Sequence, residues 1–168
     1  MEKLESTRSN KTDIEQCGAG YQAEQIVNRF LHVENEQPEQ ILEEILKNVS
    51  KEQLPVLKRE IVDTLAAHIN IPVSKDDSKQ IKVVGKVLEL LIKDERFPTL
   101  YQQFINIVEQ YFEEVAHSEA LIRERYERPA DSDPEFVDEY QKTLAAIREN
   151  YEAVAEQVRV QSLLLFPT

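Results

Sequence analysis

Apolar residues recur along this chain at steps of three and four, the spacing of one helix face, and the runs are separated by prolines and polar clusters. The first run begins after Gly20, covers Tyr21 to His32 with Ile26, Val27, Phe30 and Leu31, and is expected to stop near Asn35. Pro38 suits the first turn of a second helix, where its missing N–H costs nothing, and Ile41, Leu42, Ile45, Leu46 and Val49 then share a face as far as Ser50. Ser50 with Gln53 resembles a capping box, Pro55 falls in the first turn, and Leu57, Ile61, Leu65, His68 and Ile69 form a third stripe ended by Asn70 and Pro72.

The loop Ser74 to Asp77 offers N-cap oxygens to a fourth helix running from about Ser78 to Asp94. Its apolar residues, among them Ile81, Val84, Leu88 and Leu91, cover more than one face, which predicts a central element. A fifth helix from Pro98 to Glu127, through Tyr101, Phe104, Val108, Tyr111, Val115 and Ile122, would have about 30 residues and a length of roughly 45 Å.

Arg128 to Pro134 breaks the pattern, and Asp133 before Pro134 is a good N-cap. The sixth helix then carries Val137, Tyr140, Leu144, Ile147, Tyr151, Val154, Val158, Gln161 and Leu165 at strict three-four spacing, the seam of a coiled coil. A short linker between two long helices predicts an antiparallel hairpin. The apolar end, Leu163 to Phe166, is expected to be buried by docking on the N-terminal helices near Phe97 and Leu100, with a dimer contact as the alternative.

The expected fold is therefore all-α, a bundle of short helices followed by the hairpin with its coiled-coil-like seam. Residues 1–16, too polar to offset the entropy of ordering, read as a disordered tail; 17–97 as the bundle; and 98–168 as the hairpin packed on it. Only three glycines and no alternating Val- and Thr-rich runs argue against a sheet.

Net charge −12, from 20 Lys and Arg against 32 Asp and Glu, excludes direct binding to nucleic-acid phosphates. It is compatible with simple solubility or with an acidic inhibitor that mimics nucleic acid in a basic groove. The single Cys17 cannot form an internal disulfide, the first eleven residues lack the apolar run of a signal peptide, and no stretch is apolar enough to span a bilayer. A cytoplasmic protein that engages no membrane is expected.

Candidate chemistry is sparse. Glu114 and His117 form one Glu-x-x-His unit, half of what a carboxylate-bridged di-metal bundle needs, and neither His32 nor His68 has a Glu three residues before it. His68, near the end of the third helix, reads as a C-terminal cap favoured by the helix dipole when protonated. Cys17 has no partner motif, and the adjacent carboxylates Glu43 with Glu44 and Glu113 with Glu114 do not face one site. Tyr101, Phe104, Tyr111, Tyr140 and Tyr151 read as packing residues. No catalytic, cofactor-binding or metal-binding residue is assigned, and no cofactor is expected.

Leu54-Pro55-Val56-Leu57-Lys58, the Ile69-Asn70-Ile71 turn, the Ser74 to Lys79 loop, and Val87 to Phe97 with Leu100 make residues 41–104 resemble the effector-associated or death-like helical modules of bacterial conflict and signalling proteins. Glu95 stands where those families commonly have Gly before the Arg. The resemblance implies a noncatalytic adaptor that meets its protein partner through helix faces, the hairpin serving as an added docking or oligomerisation arm, a second copy included. An acidic inhibitor and a metal or small-molecule enzyme in the bundle are the competing expectations.

Overall fold

The computed structural model describes residues 22–32, 37–126 and 133–167. The expected tail, Cys17, the stop near Asn35 and the Arg128 to Ser132 linker lie outside these residues. The described residues are all-helical: α1 covers 22–32, followed by α2 (Pro38–Lys47), α3 (Leu54–Ala66), α4 (Ser78–Ile92), α5 (Phe97–Arg125) and α6 (Pro134–Leu165). No described helix is long and apolar enough to cross a membrane.

Four helix starts follow from proline at N1 or N2: Pro38, Pro55, Pro98 and Pro134. At α6 the Asp133 carboxylate also accepts the Glu135 N–H at 3.1 Å. The α3 start uses half of the expected box, with Ser50 Oγ accepting from the Gln53 N–H at 3.4 Å while the Gln53 side chain makes no cap bond. Before α4 the loop oxygens bond one another instead of the helix: the Ser74 hydroxyl donates to Asp77 Oδ2 at 3.1 Å, and Asp77 makes no side-chain cap bond.

α4 is the centre of the bundle. Val84, Val87, Leu88 and Ile92 are buried, and α4 packs on α2, α3 and α5. Each such side chain, moved from water to the core, contributes about 1.5–3 kcal/mol. Ala23, Val27 and Phe30 of α1 join the same core, and Arg29 pairs with Glu44 on α2 at 3.8 Å. α4 ends at Lys93, which takes the left-handed conformation (φ 53°) usually given to glycine at this place and donates its N–H to the Glu89 carbonyl at 3.3 Å.

α5 and α6 run antiparallel. Tyr111 meets Tyr151 with ring centroids 5.5 Å apart, Arg125 pairs with Glu139 at 2.6 Å, and Tyr126 meets Phe136 at 6.2 Å, so numbers rise on one helix as they fall on the other. The buried line on α6 departs from the expected seam. Phe136, Ala155 and Ser162 are buried where Val137, Val154 and Gln161 were expected, and Gln161 is exposed. Phe136, Tyr140, Leu144, Ile147, Tyr151, Ala155, Val158 and Ser162 advance in steps of four, four, three, an eleven-residue rhythm close to that of a straight helix. α6 packs on α3 as well as α5 and so need not keep a seven-residue seam toward one partner.

Arg148, on α6, reaches the bundle by donating from Nη2 to the Ile71 carbonyl at 2.8 Å, while its Nε bonds Glu152 at 2.6 Å. Ile122 and Phe136, both buried at the far end of the hairpin, lie outside the main core cluster.

Candidate functional site

The residues that sequence reasoning weighed for chemistry are dispersed. Glu114 Oε2 accepts the Tyr151 hydroxyl at 2.6 Å, a bond that pushes the phenol up to about 12, and His117 is exposed. Glu114 thus serves the hairpin contact. Among the described residues no three His, Cys, Asp or Glu side chains gather as metal ligands would. Glu43, Glu44, Glu113 and Glu114 are solvent-exposed, and Cys17 lies outside the described residues.

His68 does not act as the expected cap. Burial lowers its pKa, the opposite of what a protonated C-terminal cap would show. The end of α3 is closed instead by Asn70, whose Nδ2 donates to the Ala67 carbonyl at 3.2 Å, and by the Ile69 N–H on the Ala66 carbonyl at 2.9 Å. The aromatic residues are packed: Tyr101, Phe104 and Tyr111 are buried, and Tyr140 stacks on Phe136 at 6.0 Å.

Three open grooves lie among the described residues, one of them, of about 410 Å³, over Gly85, Tyr101 and the start of α5, and the other two bear on function. The first, of about 460 Å³, lies between the α3–α4 loop, the start of α4 and the middle of α6, with His68, Asn70, Asp77, Gln80, Arg148 and Glu152 among its walls. Its one arginine is already held by Glu152 and the Ile71 carbonyl, so this groove offers no unpaired cation for a ligand among the described residues.

The second, of about 520 Å³, is walled by Leu54, Pro55 and Val56 at the start of α3, Leu91 near the end of α4, and Phe166 with Pro167 at the end of the chain. Lys58, Arg59 and Lys93 stand around it. None of the three makes an ion pair among the described residues. Val56 is 46 % exposed, and on the last turns of α6 Val160 is 46 % and Leu164 79 % exposed. Leu165 and Phe166, by contrast, pack against the core. The chain end therefore docks within the molecule, on the α3 and α4 side of the bundle, with only part of its apolar run covered.

The surrounding charge is unlike that of the chain as a whole. Residues 47–96 carry ten Lys or Arg against eight Asp or Glu, whereas the rest of the chain carries ten against 24. Lys79, Lys82, Lys86 and Lys93 are exposed along α4, interrupted on that side by Glu89. On the hairpin the described cations are paired with carboxylates: Arg123 with Glu119, Arg125 with Glu139, Lys142 with Asp138, Arg148 with Glu152 and Arg159 with Glu156. Sequence reasoning missed this segregation because the net charge of −12 conceals it; counting charge by segment would have found it.

No curated protein and no solved structure matches the chain. A family of unknown function, DUF6657, matches residues 43–132, from within α2 past the end of α5. That stretch includes Leu54, Pro55, Lys58, Arg59, Leu91 and Lys93, but not Phe166 and Pro167. The match spans more than half of the chain, which therefore belongs to the family of unknown function DUF6657.

Proposed function

We propose that the protein is a noncatalytic interaction module, an adaptor that holds a protein partner against its helices. The observation that carries this reading is the open groove beside the chain end, where exposed Val56 and the apolar walls around it stand next to three cations that make no ion pair among the described residues. Single exposed apolar residues are ordinary on protein surfaces, but a groove walled by Leu54, Pro55, Leu91 and Phe166 provides depth for a partner's side chains. The resemblance of residues 41–104 to effector-associated and death-like modules supports the same reading. An acidic nucleic-acid mimic fits less well, because five hairpin cations interrupt the negative surface and the α3–α4 block is slightly basic.

The test compares proteins captured from the native cell by the wild type and by Val56→Asp. Val56 is 46 % exposed, so the variant should keep its stability within about 0.5 kcal/mol. A partner held stoichiometrically by the wild type and lost by the variant is the expected result. Identical captures by both proteins, or none by either, would overturn the reading.

A further inference from the structure

We infer that the groove between the start of α3, the end of α4 and the chain end receives an acidic amphipathic helix of a partner protein. This rests on the interaction reading above and adds the chemistry of the occupant. Apolar side chains of that helix enter between Leu54, Pro55, Leu91 and Phe166, and its carboxylates meet Lys58, Arg59 and Lys93.

Three observations select this occupant. Charge comes first: the three cations make no ion pair among the described residues, although the chain has 32 carboxylates to answer 20 cations. Unpaired cations beside an apolar wall attract an acidic ligand over long range and reject a basic one. Shape comes second. The described residues contain no strand, so no sheet edge exists for an extended peptide to join, and a groove between helix ends suits the apolar stripe of a helix.

Symmetry comes third and weighs against a second copy. A two-fold contact through this groove would bring the cationic patch of Lys58, Arg59 and Lys93 in one chain close to the same patch in the other. A one-sided contact with the acidic hairpin of another copy would build a ring or an open chain of molecules. An acidic partner of different sequence meets neither obstacle.

The experiment titrates the full chain with three synthetic helical peptides of equal length and identical apolar stripe, whose polar faces carry Glu, Gln or Lys, and reads fluorescence anisotropy. The Glu peptide should bind at least about ten times more tightly than the Lys peptide, and its affinity should fall steeply between about 0.05 M and 0.5 M salt. Lys58→Gln, Arg59→Gln and Lys93→Gln together should weaken the Glu peptide about tenfold or more and leave the melting temperature near that of the wild type.

Equal binding of the Glu, Gln and Lys peptides, all lost in Val56→Asp, would overturn the acidic occupant and leave the interaction reading standing. A wild-type dimer in sedimentation that dissociates in the triple variant would likewise overturn it in favour of a second copy. No binding by any peptide, with no partner captured from the native cell, would overturn both.

Discussion

Tyr101 lies so close to Gly85 that the edge of its ring occupies the place a side chain on α4 would take. A Cβ at Gly85 would overlap Tyr101 Cε1 and Cδ1. The Tyr101 hydroxyl donates to the Ile81 carbonyl at 2.5 Å, one turn earlier on the same helix, and burial pushes this phenol well above its ordinary range. The missing side chain thus admits an aromatic ring and its hydrogen bond between α4 and α5.

Gly85→Ala should therefore destabilise the protein by about 1–3 kcal/mol, even though alanine is the better helix former by about 1 kcal/mol. Urea unfolding of both proteins measures the difference. In a cycle with Tyr101→Ala, the double variant should lose clearly less than the sum of the single losses, because removing the ring removes the clash. Additive losses would show that the ring is free to move aside.

The end of the chain divides into covered and bare leucines and phenylalanine. Phe166 packs against the core and Leu164 is 79 % exposed. Phe166→Ala should cost about 1–3 kcal/mol and Leu164→Ala less than about 0.5 kcal/mol. Thermal melts of the two variants at fixed oligomeric state make the comparison, and equal shifts would contradict this division.

His68 gives folding a pH dependence. Burial lowers its folded pKa below the ordinary 6.5, so the unfolded chain takes up the proton first as pH falls. Its contribution is complete above about 6.5 and is lost as pH falls from there through the lowered folded value. His68→Gln should flatten that part of the stability curve, as read from urea midpoints between about pH 7.5 and 5. A wild type and variant with parallel curves would contradict the assignment.

Lys93 stands in the left-handed region at φ 53°, where a side chain costs about 1–2 kcal/mol and glycine costs little. Lys93→Gly should raise stability by up to about 1 kcal/mol, after the greater chain entropy of glycine is subtracted. The same change should weaken the Glu peptide. A gain in stability at unchanged affinity would remove Lys93 from the docking surface.

The helices were legible because local rules set them: four prolines mark starts, and three-four apolar spacing marks faces. The central place of α4 was legible for the same reason. What escaped depends on neighbours remote in sequence. Nothing around Gly85 announces a tyrosine sixteen residues on, and the α6 register follows from a helix shared between α5 and α3. The docking of Phe166 on the core agrees with the antiparallel return of α6, whereas its nearness to the start of α3 was not legible, because it depends on the course of a helix far back in the chain. The groove was hidden altogether, since it exists only where the chain end meets helices more than seventy residues earlier.

Ile122 and Phe136 form a small apolar centre at the far end of the hairpin, detached from the main core and clasped by Arg123, whose guanidinium lies 4.6 Å from the Phe136 ring centroid. From Leu144, the last residue of α6 packed on the main core in that direction, α6 reaches back to Pro134 over roughly 15 Å at the standard helical rise. The two ends of one hairpin should therefore open independently of each other. Backbone amides around Ile122 and Phe136 should exchange with deuterium through a local opening of their own, while those of α4 wait for the whole molecule to unfold. A disturbance at the tip would then leave the groove by Phe166 intact, and the protein can tolerate change at one end without surrendering the other.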